Sequence, residues 1–132
     1  MADQRAAYAG AVSAYRASAL LTRDPVDVLL LLHEELGRTL LAAKTASEAR
    51  TLDQMCRCNE RSVRILAALR AAMDFKAAGP DGAALERLYL RISSDVMRVL
   101  NDDNATETYQ SAIETLQSMC RDLQQRRRLA MR

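Results

Sequence analysis

Apolar residues recur every three or four positions along most of this chain, and the longest such pattern is Asp24–Ala46, DPVDVLLLLHEELGRTLLAAKTA. At about 100° per residue, Leu29, Leu32, Leu36, Leu40 and Ala43 share one face of a helix. Val26, Leu30 and Leu41 widen that face to more than half the circumference, and Asp27, Glu34, Glu35 and Arg38 take the remainder. A surface helix needs only a stripe of about 100°. This stretch therefore predicts a central helix, from Pro25 to Ala46, with two or more neighbours. Asp24 suits the N-cap because its carboxylate can accept from free N–H groups of the first turn. Pro25 suits the first helical position, where its missing N–H costs nothing.

Three more helical patterns follow. Ser47 or Thr51 can cap a second helix running to Asp74, with Leu52, Met55, Cys56, Val63, Leu66 and Met73 on its inner face and Asn59 interrupting them. A second apolar strip on it, Cys58, Ile65 and Leu69, lies roughly 100° round from that face. Phe75–Gly82, FKAAGPDG, reads as a break, since Gly79-Pro80 and Asp81-Gly82 are turn chemistry. A third helix is expected over Ala83–Leu100, with Leu85, Leu88, Tyr89, Ile92, Val96, Val99 and Leu100 inward and Leu90 and Met97 together on one edge. Asn101–Asn104 is a polar turn, and Asn104-x-x-Glu107 resembles a capping box. A fourth helix then runs from Ala105 to Arg126, with Tyr109, Ala112, Ile113, Leu116, Met119, Cys120 and Leu123 on one narrow face.

The expected fold is all-α: an antiparallel four-helix bundle over residues 24–126, with a mobile N-terminal arm over residues 1–23 and a fraying basic tail over residues 127–132. The arm carries Tyr8 and Tyr15 but no sustained apolar face. A chain of 132 residues can bury about two-thirds of its surface without metals or disulfides. Four Gly, two Pro, one Phe and no Trp suit a helical chain. A net charge of +2 is too small to call for a polyanionic partner. No apolar run approaches the ~18 residues of a membrane span. Three cysteines, an odd number, point to reduced thiols in a cytoplasm.

Candidate chemistry adds little. His33, the single histidine, reads as a packed, hydrogen-bonded ring at a bundle edge, and no Ser/His/Asp set stands out around it. Cys56 and Cys58, two apart on a helix, point about 200° from each other and cannot chelate one ion. Leu30 stands where a di-iron Glu-x-x-His motif would need glutamate. There is no glycine-rich phosphate loop, and Arg126-Arg127-Arg128 lacks the interleaved aromatics of a nucleic-acid site. No catalytic residue, metal or cofactor is therefore expected, and no nucleic acid or membrane insertion. What remains is surplus apolar surface: Leu31 within the charged face of the first helix, the Cys58–Ile65–Leu69 strip, and the Leu90–Met97 edge. These positions can line a groove for a partner helix or extended peptide, or can simply be core in a splayed bundle.

Several of these residues together resemble the flagellin-specific export chaperones of the FliS type. Ala14-Tyr15 stands ahead of the Asp24-Pro25 helix start, as in that family's N-terminal tyrosine arm. DPVDVLLLLHEEL is similar to the family's opening helix, with His33 where a tyrosine is usual and Glu34 where aspartate is common. Ala72-Met73-Asp74-Phe75 followed by Gly79 and Gly82 resembles its central break, and Leu85-x-x-Leu88-Tyr89 the motif after it. The fourth helix matches in length and position only, and the Trp often found near the family's end is absent.

The resemblance implies binding and not catalysis. It implies a chaperone of the bacterial cytosol that holds the C-terminal segment of flagellin and prevents its polymerisation before secretion, with the flagellar export machinery as a further partner. The candidate partner-binding residues are Tyr8, Tyr15, Leu31, Ile65, Leu69, Tyr89, Leu90 and Met97. A helical adaptor or regulator of flagellar assembly would use the same apolar groove, and a small metal or redox bundle enzyme is a third reading.

Overall fold

The computed structural model describes residues 25–73 and 79–130. The N-terminal arm with Tyr8 and Tyr15, the Asp24 cap and the Asp74–Ala78 part of the break lie outside the described residues. The described residues form four α-helices, α1 (Pro25–Glu48), α2 (Leu52–Ala72), α3 (Gly79–Arg98) and α4 (Ala105–Ala130), with a 3-10 turn at Val99–Asn101 and no strand. The expected all-α bundle is the observed one. α1 lies between α2 and α4 and packs on both; α3 packs mainly on α2 and much less on α4. The pairs Lys44–Gln110 and Ser47–Thr106 run α1 and α4 antiparallel.

α1 is the central helix its broad apolar arc predicts. Leu36, Leu40 and Ala43 are fully buried, with Val28, Leu30 and Ala46 beside them. Thr39, also buried, satisfies its hydroxyl by donating to the Glu35 carbonyl at 2.8 Å. Leu41 does not belong to the core: it is exposed, at the side of α1 next to α4.

The α1–α2 connection is a Schellman motif built without glycine. Thr51 N–H donates to the Ala46 carbonyl (2.9 Å), Arg50 N–H donates to the Ser47 carbonyl (3.1 Å), and Arg50 sits at φ 57°. Orphan carbonyls at the end of α1 are thereby satisfied, at the expense of a left-handed arginine. Thr51 is the N-cap of α2 by position, yet its side chain makes no capping bond.

The inner face of α2 differs from the expected one. Its buried residues are Met55, Asn59, Ser62, Ile65, Leu66, Ala68 and Leu69, while Leu52 and Cys56 are exposed and Val63 is half-buried. The seam passes through two polar residues, Asn59 and Ser62, so a count of apolar positions alone places the face too far toward Leu52 and Cys56. Ile65 and Leu69, read as a side strip, are core instead.

α3 begins earlier than its turn-rich sequence suggests. Gly79–Gly82 is its first turn, because the first four N–H groups of a helix have no intrahelical acceptor and Pro80 therefore loses nothing there. Tyr89, Ile92, Val96 and Val99 point inward as expected, but Leu100 is exposed where the helix tightens into the 3-10 turn.

At the start of α4, Thr108 N–H bonds to the Asn104 carbonyl, which marks Asn104 as the cap. The expected capping box is not the arrangement found, since the Asn104 N–H donates to Asp102 Oδ1 (2.9 Å). α4 also continues through the stretch read as a fraying tail, to Ala130. Arg, Gln, Leu and Ala are strong helix formers, and arginines near a C-terminus complement the helix dipole.

Candidate functional site

Two hydrogen bonds cross the interior on opposite diagonals. From α1 to α3, His33 Nε2 lies 2.7 Å from the Tyr89 hydroxyl, which also lies 3.8 Å from Met73 Sδ. From α4 to α2, the Tyr109 hydroxyl donates to Asn59 Oδ1 at 2.6 Å. All four residues are buried, with His33 at 1% exposure. Burial pushes the His33 imidazole down to about 4, with the Leu29 carbonyl opposing in part, so the ring is neutral at pH 7. Burial likewise raises Tyr89, and raises Tyr109 to about 12 with the Asn59 bond opposing. His33 is thus the packed, hydrogen-bonded ring read from the sequence. Tyr89 faces inward, so in this state it is a core residue and not a surface contact. Among the described residues, no group of three His, Cys, Asp or Glu is placed to hold a metal ion. Cys56, Cys58 and Cys120 are free thiols.

Among the described residues, two uncovered apolar regions stand out. The first is on α3, where Leu90 is 43% and Met97 67% exposed, seven residues apart on one edge. Leu31 is half-buried on α1 and is not one of this exposed pair. The structure therefore splits the sequence-derived set: Leu90 and Met97 stand out in solvent, whereas Ile65, Leu69 and Tyr89 lie inside the bundle.

The second region was not legible in the sequence. A groove of about 620 Å³ opens between α1 and α4, lined by His33, Glu34, Gly37, Arg38 and Leu41 on one side and by Ile113, Leu116, Gln117, Cys120 and Arg121 on the other. Gly37 is part of its lining, and among the described residues a Cβ added there would meet no atom within 4 Å. A glycine inside a helix costs about 1 kcal/mol relative to alanine, and nothing around Gly37 among the described residues offsets that. On the rim, Arg38 Nη atoms reach Glu34 (3.8 Å) and Glu35 (3.3 Å), and Glu35 also pairs with Arg61 of α2. Burial, helped by Glu34, raises the Cys120 thiol, so it lines the groove as a neutral, weakly polar group. The one signal that could have found this region was Gly37 itself, a mid-helix glycine in a run of Leu and Ala.

The described residues thus define a small all-α bundle with an exposed apolar edge on α3 and a groove between α1 and α4. The sequence pattern of the family described as "Flagellar protein FliS" matches residues 8–127, and the chain belongs to that family. No curated protein and no solved structure matches the chain. No helix among the described residues is long and apolar enough to cross a membrane.

Proposed function

We propose that this flagellar protein is a cytoplasmic export chaperone that holds the C-terminal segment of flagellin and keeps it from polymerising before secretion. The observation that carries this reading is apolar side chains left in water on an otherwise well-packed bundle, above all Met97 and Leu90 on α3. Isolated exposed apolar residues are ordinary. An exposed pair on one edge of a helix, together with an open groove elsewhere on the bundle, in a flagellar family, favours a partner with amphipathic helices of its own. Flagellin subunits assemble through such helices, and a partner covering the same faces blocks assembly in the wrong place. A segment that orders only on binding can cover a large area, at an ordering cost of a few kcal/mol. Release to the export machinery then needs competition alone, with no covalent step and no cofactor.

The N-terminal arm enters this reading as a competitor. Tyr8 and Tyr15 are large, amphipathic and borne on a stretch without an apolar face of its own. Deleting residues 1–23 is expected to tighten flagellin binding if the arm occupies the partner's site, and to weaken it if the arm is itself a contact. A pull-down with full-length flagellin and with flagellin lacking its C-terminal segment tests the proposal. Capture of the first and loss of the second is the expected result. Equal capture of both, or of neither, contradicts it and leaves a regulator of flagellar assembly as the reading to pursue.

A further inference from the structure

The four helices are not fastened equally. α1 is tied to α4 by Lys44–Gln110 and Ser47–Thr106, and to α2 by Glu35–Arg61. α2 is tied to α4 by the Tyr109–Asn59 bond across the interior. α3 packs mainly on α2 and much less on α4. Among the described residues, its side-chain hydrogen bonds to the rest of the bundle all come from Tyr89, whose hydroxyl lies 2.7 Å from His33 Nε2 and 3.8 Å from Met73 Sδ. Arg98, near the end of the same helix, bonds only within it, to the Ser94 carbonyl and the Asp95 carboxylate. α1, α2 and α4 thus share a core bonded on several sides, and α3 is laid against it.

We propose that α3 is a lid on a three-helix core, latched by the Tyr89–His33 hydrogen bond, and that it opens as a unit while α1, α2 and α4 stay packed. Folded proteins open locally at their least-held elements, at a smaller cost than global unfolding. A hydrogen bond inside the bundle is strong while made and costly to leave unmade, which favours two states, shut and open, over gradual loosening. In the shut state Tyr89 is fully buried and so is its partner His33. Opening lets water take over the bonding of both rings. Once detached, a helix of 20 residues is only marginally stable in water and unwinds. The open state therefore uncovers Tyr89, Ile92 and Val96, apolar surface that the shut bundle keeps inside. The lid is a property of the free protein and stands or falls apart from the chaperone reading.

Backbone hydrogen exchange, followed by mass spectrometry on wild type, Tyr89→Phe and Tyr109→Phe, tests this. In wild type the slowest amides of α3 are expected to exchange about tenfold or more faster than the slowest of α1. Tyr89→Phe cuts the latch and should speed the α3 amides by about tenfold, the effect of losing one buried hydrogen bond. Tyr109→Phe cuts the bond between α2 and α4, which stays made when the lid opens. It should speed the slowest amides of α1, α2 and α4 and leave those of α3 unchanged. Where Tyr89→Phe does not fold, His33→Phe cuts the same bond from α1 and is read in the same way. Equal exchange in α1 and α3 of wild type would show that α3 opens only with the whole bundle, and would overturn the lid. So would α3 amides that quicken with Tyr109→Phe as those of α1 do. α3 amides that exchange first yet do not respond to Tyr89→Phe would overturn the latch.

Discussion

The seam between α1 and α4 is closed in one half and open in the other. In the closed half, Ala43 and Ala46 of α1 and Ala105 and Ala112 of α4 are all buried in one core, where small side chains suit a close approach of the two helices. Polar groups fasten its edges: the Ser47 and Thr106 hydroxyls are 2.7 Å apart, Lys44 Nζ donates to Gln110 Oε1 at 2.9 Å, and Gln110 continues to Glu114 at 3.0 Å. In the open half, His33–Leu41 faces Ile113–Arg121 across a groove of about 620 Å³. The same two helices thus hold the fold together at one end and leave a groove open at the other. Added bulk should therefore have opposite effects in the two halves.

The largest effects are expected inside the closed, shared core. Leu66→Ala removes a buried side chain that packs among the helices and should cost about 2–5 kcal/mol, read as an earlier denaturant midpoint. Ala43→Leu, which forces extra volume into the closed half of the seam, should cost about 1–3 kcal/mol. If Ala43→Leu is neutral, the closed half is less tightly packed than the geometry shows.

Acid should act through the other half. His33 binds a proton at about 4 in the folded bundle and near 6.5 when unfolded. The unfolded state therefore takes up more protons between those values, and stability falls as pH drops from 6.5 toward 4. A full shift of that size corresponds to about 3 kcal/mol. Urea titrations at pH 7.5 and pH 4.5 should show this loss in wild type and a smaller one in His33→Phe. Equal losses in both would assign the acid sensitivity to the carboxylates instead.

Parts of this arrangement were legible in the sequence and parts were not, for identifiable reasons. α1 was readable because its own residues settle it: a proline at the first position and an apolar arc, mostly Leu and Ala, wide enough for two neighbours. α2 was read in the wrong rotation because Asn59 and Ser62 belong to its inner face, and the partner that admits Asn59 there, Tyr109, lies 50 residues away. The same error made Ile65 and Leu69 look like a surface strip. Gly79–Gly82 was read as a turn because Gly and Pro are tolerated both in turns and in the first turn of a helix, and composition does not separate the two. Leu90 and Met97 were placed correctly on the outer edge of α3, where one helix's periodicity is enough. The groove is a property of two helices in register, and no single stretch contains it.

Smaller effects sharpen the contrast further. Gly37→Ala, in the open half, should stabilise the bundle by up to about 1 kcal/mol, since the new methyl meets nothing and alanine favours the helix. A loss of stability on this substitution would show that the groove floor is tighter than described. Arg50→Gly, at the left-handed end of α1, should gain a few tenths to about 1 kcal/mol, because glycine adopts φ 57° without strain. Thermal melting of the two variants beside wild type resolves both.

The central claim is that apolar surface left open on a finished bundle serves a partner. Met97→Asp tests it most directly, by titration calorimetry with the C-terminal segment of flagellin after a melting curve on the free variant. Met97 is 67% exposed, so a carboxylate there stays in water and the free bundle should melt as wild type does. In the complex that carboxylate would be buried without a counter-ion, at a cost of several kcal/mol, enough to abolish micromolar binding. Normal melting with lost binding is the result expected. Normal melting with wild-type affinity would contradict the claim for this surface, and a melting temperature as low as that of Leu66→Ala would show that Met97 belongs to the core.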